Sequence, residues 1–442
     1  HCGSGVYSPF SVELCWNENR FSLKYKDKMT DKVNVGIYLV KEDTLLPAPN
    51  KGKTTAQYNL DELLGRAKFL NYSVSQEAER VYRAKKEVTV AVVNLLPHFN
   101  TRDVLAYVAV GPLGLIEVVG DLLPFLFPSN WFKWIESGHL ANAERKSFAS
   151  LRGNEMNAVE NLFYLIHRDQ NVFSVLQEHI DWLTKIHNAI LVKEQNAGLP
   201  RGSADLFNTV IVELAQDLEQ LRFLLKQEFA SLSHAVALPP VNGIAGLDSI
   251  LFPDLDQVQP IKPETIYLDA QARSLEIAAL EYLVKASENS TNERAFGWLD
   301  PTSDKNIGFG YPASLQVGKS QEAELRKKQQ QVFSLIAQRS VEVTSDYNAA
   351  LRGFSLSASG LKSSRSYLSR LLRELQSGEE LLDRPEFLNL VIETSRKVLK
   401  FRSNELASRY SFMIAKSKID RLLLDGFYKN LEVGIPQINE ER

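Results

Sequence analysis

The chain has 442 residues, of which 44% are apolar and 24% are charged, and this composition is ordinary for a folded protein of two or three domains or of one elongated domain. A net charge of −3 argues against a dedicated nucleic-acid surface. The most apolar stretch, residues 104–127, contains Glu117, Asp121, two prolines and three glycines. It therefore fails as a membrane-spanning helix, which needs about 20 mostly apolar residues.

The N-terminal segment, residues 1–58, is predicted to be a mixed, partly β segment. It contains both cysteines of the chain, Cys2 and Cys15. In an oxidising compartment they would form a local disulfide, which suits a segment with little core of its own, and in a reducing one they would remain thiols. Lipidation of Cys2 is a further alternative.

The first half of the chain is predicted to be helical around one apolar insert. Helical periodicity begins at residue 59, where Asn59 is suited to an N-cap, and stops at Pro97. An insert over residues 98–137 follows, and its apolar residues do not alternate. Aromatic residues close it, and aromatic residues favour membrane interfaces. The insert is therefore either an apex that dips into a membrane or a packed cap over the helices.

A strand-like stretch interrupts the second half, which follows a predicted linker over residues 239–266. In NIGFGYPASLQVG, residues 306–318, every second residue from 307 to 317 is apolar. This alternation predicts an 11-residue strand with one apolar face. We expect it within an insert over residues 290–318. The candidate membrane or apex contacts of the two inserts are Trp131, Phe132, Trp134, Ile307, Phe309, Tyr311 and Leu315.

The two halves match each other as tandem repeats, which we place at residues 59–238 and 267–428, followed by a C-terminal tail at 429–442. A shift of 180 residues places Gly138 on Gly318 and Phe207 on Phe387. Before the inserts a shift of about 201 matches better. The second insert is therefore expected to be about 21 residues shorter than the first.

The order of these features resembles a TolC-like outer membrane efflux protein. That family opens each repeat with a helix ending at Leu-Pro, inserts a β-hairpin, continues into a very long helix and turns at a Gly-rich loop before Asp-Leu. The matching residues here are Leu96 and Pro97, the pair Trp134 and Gly138, the turn residues Gly198, Leu199 and Gly202, and the pair Asp205 and Leu206. The resemblance covers roughly residues 59–428.

The resemblance implies a mainly α protomer of two tandem repeats of long antiparallel coiled helices, with short β-hairpin-like inserts. In this family three subunits form a helical tunnel through the periplasm and share a β-barrel in the outer membrane. The second hairpin is short here and the first insert does not alternate. We therefore predict that the barrel is reduced or missing.

The two helix turns are the candidate gate and adaptor-docking sites that the resemblance implies. Threefold symmetry would turn each acidic residue there into a ring of like charges, which favours cations. Alternatively, the charged residues are simply solvated, and Asp205 caps the helix that follows it. The candidates are Gly198, Leu199, Asp205, Gly378, Glu379, Glu380, Asp383 and Arg384.

No residue pattern predicts catalysis, cofactor binding or a metal site. The seven histidines form no HExxH motif, and the cysteines lack CxxC spacing. We predict that the chain is not an enzyme and needs no cofactor.

Two functions remain. The first is a homotrimeric duct for efflux or type I secretion at the outer membrane of a Gram-negative bacterium. A periplasmic adaptor, an inner-membrane pump and outer membrane lipid are its expected partners, and nucleic acid is not. The second is a barrel-less periplasmic scaffold that does not span the outer membrane. The first is favoured by the family resemblance.

Overall fold

The computed structural model divides the chain into two units, His1–Thr54 and Thr55–Arg442. It describes residues 2–7, 10–17, 20–26, 57–93, 128–196, 199–240, 243–296, 311–377 and 385–433.

The first unit contains a three-stranded antiparallel sheet in the order β1-β2-β3. Its strands are β1 (Cys2–Tyr7), β2 (Phe10–Asn17) and β3 (Arg20–Lys26). Apolar residues alternate along β2, which is the period of a strand with one apolar face. The register places Cys2 directly opposite Cys15. Directly opposed residues of an antiparallel pair lie at a Cα separation that a disulfide can span, so the disulfide stays a prediction that this register favours.

The second unit is mainly α-helical, which confirms the predicted fold class. One short parallel pair, β4 (Gln57–Tyr58) and β5 (Gly246–Leu247), joins the residues before the first helix to the linker. The helices are α1 (Leu60–Leu70), α2 (Tyr72–Val93), α3 (Pro128–Gln195), α4 (Ser203–Ala235), α5 (Pro263–Arg273), α6 (Leu275–Phe296), α7 (Tyr311–Ser377) and α8 (Pro385–Leu423), with 3-10 helices at Leu255–Gln257 and Gly426–Tyr428.

The helices recur in the same order and with similar lengths in the two repeats. The first pair has 11 and 22 residues in both, and α3 and α7 have 68 and 67 residues. Asn59 caps α1, as predicted, because its Oδ1 accepts from the Glu62 amide at 2.8 Å. Asn71 and Ser274 break the opening helix of each repeat, and each accepts an amide of the next helix, from Ser73 and Ile277 respectively.

The predicted strand over residues 307–317 is wrong from residue 311 onward, where α7 begins. Pro312 lies in the first turn of α7, where its fixed φ and missing N–H are tolerated, and Tyr311 and Leu315 also satisfy the i, i+4 spacing of a helix. Gly318 packs closely on α6, since a Cβ there would lie 2.5 Å from Thr291 Oγ1. The packing of α7 on α6 therefore determines the local structure here, rather than the short alternation of apolar residues in the sequence.

The first insert is likewise shorter than predicted. Pro128 begins α3, so residues 128–137 are helical. The remainder of the two inserts, residues 94–127 and 297–310, lies outside the described residues. The prediction of a reduced barrel concerns these segments and stays a prediction.

The helices of the second unit pack in two rows that share α3 and α7. Toward the inserts, α3 packs on α2 and α6, and α6 also packs on α7. Toward the turns, the order is α4, α3, α8 and α7, with α8 between the two long helices. Buried apolar side chains form three clusters: one at the turns, one among α1, α2 and α3, and one among α5, α7 and α8.

Residues 424–433 form a C-terminal strap that returns from α8 to α3. Tyr428 and Leu431 are buried in the cluster around α1, α2 and α3. Arg152 donates to the carbonyl oxygens of Leu431 and Val433 at 2.8 and 2.9 Å. The strap thus fastens the end of the second repeat to the first.

Across the described part of the chain, no helix has both the length and the apolar character required to cross a membrane.

Candidate functional site at the helix turns

A carboxylate from the preceding helix fixes the first turn. Glu194 Oε1 accepts from the Gly202 amide at 2.7 Å, and its Oε2 accepts from the Ala204 amide at 3.0 Å. These amides belong to the start of α4, whose first N–H groups have no partner within the helix. The two backbone hydrogen bonds lower the pKa of Glu194. The turn is completed by Gly202, whose φ of 89° favours glycine.

Asp205 is not the N-cap of α4, so the capping alternative for it is wrong. The N-cap is Gly202, which has no side chain, and Glu194 supplies the missing acceptor. Asp205 lies in the first helical turn and is exposed. The positive end of the helix dipole still stabilises a carboxylate at this position. Its role as a gate or docking residue stays a prediction.

The other described residues of the first turn connect it to the second repeat. Leu199 is buried in the cluster at the turns, together with Phe207 of α4 and Leu388 of α8. Lys193 Nζ donates to the carbonyl oxygen of Leu375, near the end of α7, at 3.0 Å. The remaining turn candidates lie outside the described residues: Gly198, Gly378, Glu379, Glu380, Asp383 and Arg384.

The aromatic residues predicted at the first insert lie on the first turns of α3. Phe132 and Trp134 are half-buried there, and Trp131 belongs to the same turns. Nearby, His139 of α3 contacts Tyr282 of α6 with ring centroids 6.1 Å apart. Tyr311 and Leu315 begin α7, whereas Ile307 and Phe309 lie outside the described residues. Membrane contact by these residues stays a prediction.

A buried carboxyl of α3, which the sequence did not reveal, connects α3, α8 and the strap. Glu160 Oε2 accepts from Ser417 Oγ at 2.7 Å and from Tyr428 Oη at 2.5 Å, and its Oε1 accepts from Tyr164 Oη at 3.1 Å. Burial raises the pKa of Glu160, although the three hydrogen bonds oppose this shift. Two of the donors lie more than 250 residues further along the chain, so no local motif marks them.

A second buried cluster joins α8, α6 and α3 around Arg421. Its Nη2 donates to Glu276 Oε1 at 3.1 Å and to the Ser150 carbonyl oxygen at 3.0 Å. Burial would raise the pKa of Glu276, but Arg421 and the Ser150 and Ser274 hydroxyls outweigh it, so that this pKa is lowered. Gly153 leaves room for the guanidinium, because a Cβ there would lie 2.6 Å from Arg421 Nε.

Arg152 is a third buried charge, and it has backbone carbonyls rather than a carboxylate as partners. Its guanidinium lies 4.5 Å from the centre of the Phe148 ring and donates to the strap. Burial lowers the pKa of Arg152 to about 10. These clusters hold helices together, and their contacts are internal. In the described ranges, no three or more His, Cys, Asp or Glu side chains are placed to hold a metal ion.

Comparison with protein-family models and with curated proteins gives no match for this chain.

Solved structures, in contrast, share its fold. The chain is similar to a membrane protein from Pseudomonas aeruginosa, with a TM-score of 0.69 and 11% identity over 85% of this chain and 92% of that one. It is similar to the outer membrane protein VceC from Vibrio cholerae, with a TM-score of 0.65 and 10% identity over 83% and 96%. It is also similar to the Campylobacter jejuni CmeC outer membrane channel, with a TM-score of 0.64 and 10% identity over 82% of this chain and 85% of that one.

These neighbours are a membrane protein, an outer membrane protein and an outer membrane channel. The similarity covers both repeats, because it spans more than four fifths of the chain. The chain therefore has the fold of outer membrane channel proteins, and its resemblance to TolC-like outer membrane efflux proteins is confirmed at the level of the fold.

Proposed function

We propose that the chain is one protomer of a TolC-like helical tunnel of the bacterial cell envelope, built from several copies and serving as a duct for efflux or type I secretion at the outer membrane. The observation that carries this proposal is an uncovered helix face on α4. The equivalent face of α8 is covered within the same chain.

Near the turns the helices pack in the order α4, α3, α8 and α7. In the sequence, the shorter helix α4 follows the long helix α3, and the shorter helix α8 follows the long helix α7. α8 lies between its own long helix, α7, and the long helix of the other repeat, α3. α4 packs on its own long helix, α3, and contacts α8 much less, through the apolar cluster at the turns and the ion pair of Glu213 with Arg396. Among the described residues, no second long helix packs beside α4.

Burial at equivalent positions of the two short helices differs accordingly. Leu388 and Ile392 of α8 are 1% and 6% exposed. The 180-residue shift that aligns Phe387 with Phe207 places these residues on Asn208 and Val212 of α4. Asn208 is exposed, and Val212 is 50% exposed. Further along the same helix Phe223 is 64% exposed. Exposed large apolar side chains of this kind indicate a protein interface.

The opening helices repeat the pattern. α6 packs on both long helices, α3 and α7, whereas α2 packs on α3 and on α1. In both rows, as far as the structure describes the chain, the first repeat therefore lacks the long-helix neighbour that the second repeat has. The missing neighbour corresponds to α7 in each case.

The outer face of α7 offers the complementary surface. Leu335, Val341 and Leu356 of α7 are exposed, the last by 72%. We infer that α7 of one copy packs beside α4 and α2 of the next. Such a contact joins two different surfaces, and repetition closes it into a ring when the rotation per copy allows it. Three copies are the number that the TolC-like fold favours.

The predicted partners and location belong to this proposal. The duct would lie in the periplasm and outer membrane and would contact outer membrane lipid, a periplasmic adaptor and an inner-membrane pump. The neighbours of known structure support this, since VceC is an outer membrane protein and CmeC an outer membrane channel.

The first experiment measures the mass of the purified chain by light scattering. The wild type is expected to be trimeric, and the double substitution Val212→Glu with Phe223→Glu is expected to give folded monomers. Leu251→Glu is the matched control, because Leu251 is also an exposed apolar residue but lies in the linker rather than on α4. A wild-type monomer, or a double variant that stays assembled, would contradict the proposal.

The second candidate function is a scaffold that assembles but does not span the outer membrane. The helical start of α7 at Tyr311 favours it, because a membrane-crossing strand needs about 9–11 residues and residues 311–317 are helical. Conductance in planar bilayers distinguishes the two functions. Stable conductance steps would support the duct, whereas an assembled trimer that never inserts would support the scaffold.

A further inference from the structure

The two outer helices of the row α4, α3, α8 and α7 carry opposite charge on the parts nearest the turns. Residues 203–221 of α4 contain acidic residues but no lysine or arginine, whereas residues 352–373 of α7 contain basic residues but no aspartate or glutamate. We call these two stretches the acidic segment and the basic segment. All of their charged side chains are exposed: Asp205, Glu213, Asp217 and Glu219 on α4, and Arg352, Lys362, Arg365, Arg370 and Arg373 on α7.

The two inner helices show no such separation of charge. Near the turns, residues 168–194 of α3 contain three lysine or arginine and four aspartate or glutamate residues, and residues 386–405 of α8 contain four and three, so both are nearly neutral. Within one copy, α3 and α8 lie between the acidic and the basic segment and keep them apart. In a ring that joins α4 to α7 of the next copy, the two segments would become neighbours.

Contacts within the chain place the two segments at the same level above the turns. The Glu194 carboxylate accepts from the amide of Ala204 at 3.0 Å, and the adjacent Lys193 donates to the carbonyl oxygen of Leu375 at 3.0 Å. Ala204, near the start of α4, and Leu375, near the end of α7, therefore lie at about the same height along the helices. Because α4 runs away from the turns and α7 runs toward them, positions on both helices can be measured from these two residues.

Measured in this way, charged and apolar residues of the two helices come level. Glu219 lies about 22 Å along α4 and Lys362 about 20 Å along α7, at about 1.5 Å per residue. Phe223 and Leu356 both lie at about 28 Å. Glu219 follows Val212 by seven residues and precedes Phe223 by four, so it shares the uncovered face of α4. Opposite charges thus accompany the exposed apolar side chains at matching heights.

We propose that the acidic segment of α4 binds the basic segment of α7 of a second copy, so that opposite charges select and align the contact between copies. This inference rests on the proposed assembly and adds its selectivity. A contact of α4 with α4, or of α7 with α7, would bring like charges together at a cost in free energy. Charge therefore favours a ring of unlike contacts over a twofold dimer, in which each surface meets itself.

The first test is the dependence of assembly on salt. Light scattering of a dilution series of the full chain gives the concentration at which half of it is assembled, in about 0.1 M and about 1 M sodium chloride, where charges are screened over about 10 Å and about 3 Å. This concentration is expected to rise by about tenfold or more at the higher salt. An interface held by apolar burial alone would not weaken on addition of salt.

Charge reversal then identifies the segments. Glu219→Lys alone and Lys362→Glu alone each place like charges at the contact, and each should raise the half-assembly concentration by about threefold to tenfold at about 0.1 M salt. Both substitutions in one chain restore opposite charges and should return it to within about twofold of the wild type. Glu264→Lys is the matched control, because Glu264 is an exposed acidic residue of α5 and its substitution changes the net charge equally.

The outcomes separate this inference from the proposed assembly. Assembly that is equally strong at both salt concentrations, or a combined variant no better than the two single ones, would overturn the inference and leave the assembly intact. A wild type that stays monomeric at both salt concentrations would overturn both. If circular dichroism shows that Glu219→Lys loses helix, Asp217→Lys replaces it, since Asp217 belongs to the same segment and lies level with Lys362.

Discussion

At the scale of single residues, two carboxyl groups of α3 respond to pH in opposite ways. The pKa of Glu194 is lowered by two backbone amides, so its stabilising effect is present above the pKa of the unfolded chain and is lost as the pH falls below it. The pKa of Glu160 is raised by burial. Its contribution to the stability of the fold is therefore complete at low pH and is lost as the pH rises through that raised pKa.

Replacing Glu194 by alanine should loosen the start of α4. The amides of Gly202 and Ala204 lose their acceptors, and no side chain of the N-cap residue replaces them. Hydrogen exchange of residues 202–207 is expected to increase at neutral pH, and this increase should shrink in acid, where the wild-type carboxylate is itself protonated. An increase that is equal at both pH values would contradict the capping role.

Tyr428→Phe should destabilise the second unit by about 1–2 kcal/mol, because the hydroxyl donates to the buried Glu160 carboxyl and its loss leaves that acceptor short of a donor. Urea unfolding measures the change. Tyr82→Phe is the control, since Tyr82 is an exposed tyrosine of α2, and it should leave the free energy of unfolding unchanged. Equal effects of the two substitutions would show that the hydroxyl of Tyr428 is not used as described.

At the scale of the helices, close approach between α7 and α8 depends on Gly360. A Cβ at this position would lie 2.6 Å from the Phe401 ring, and the ring atoms at 2.7 and 2.8 Å leave it no room to move aside. Gly65 of α1, in contrast, has nothing within 4 Å of an added Cβ. The two glycines are therefore a matched pair for testing helix packing.

Gly360→Ala should destabilise the chain by about 1–3 kcal/mol because the clash outweighs the better helix propensity of alanine. Gly65→Ala should stabilise it by up to about 1 kcal/mol, since only the propensity changes. Thermal unfolding of both variants gives the comparison. If both substitutions stabilise the chain, α7 and α8 are further apart at Gly360 than described.

The helices could be predicted from sequence because periodicity, caps and turns are local. Asn59 is an example, and so is the Gly- and Pro-containing turn after α3. The prediction of a strand over residues 307–317 was wrong from residue 311 onward. A two-residue alternation over so few residues contains no information on the tertiary packing of Gly318 against Thr291. Most partners of Glu160 and Arg152 could not be predicted, since Ser417, Tyr428 and Leu431 lie more than 250 residues further along the chain.

The candidate site was predictable only in part. The resemblance located the first turn and its Leu199. The role of Glu194 was missed, since it lies inside a helix and acts on amides eight and ten residues further on. The exposed face of α4 was also missed, because Val212 and Phe223 read as ordinary apolar positions until the burial of α8 provides a comparison.

At the scale of the whole molecule, the assembly should join unlike surfaces. Phe223→Glu damages the α4 face and leaves the α7 face intact, while Leu356→Glu does the reverse. Each variant alone is expected to be monomeric. In a mixture, the intact α7 face of the first variant can still pair with the intact α4 face of the second. The two variants should therefore form a heterodimer that cannot close into a ring, which native mass spectrometry would detect.

A mixture that stays monomeric would contradict a contact between α4 and α7. Variants that assemble individually would show that neither side chain lies in the interface.

The C-terminal strap also affects the order in which this chain can fold during synthesis. Glu160 and Arg152 leave the ribosome early, but Tyr428 and Leu431, which satisfy them, follow 268 and 279 residues later. Until then, the first repeat would bury an acid and a guanidinium without their partners, at a cost of several kcal/mol. The first repeat should therefore remain loosely folded until the strap has been synthesised. A truncated chain that ends before the strap would remain partly unfolded and would be recognised by the proteases and chaperones of the cell.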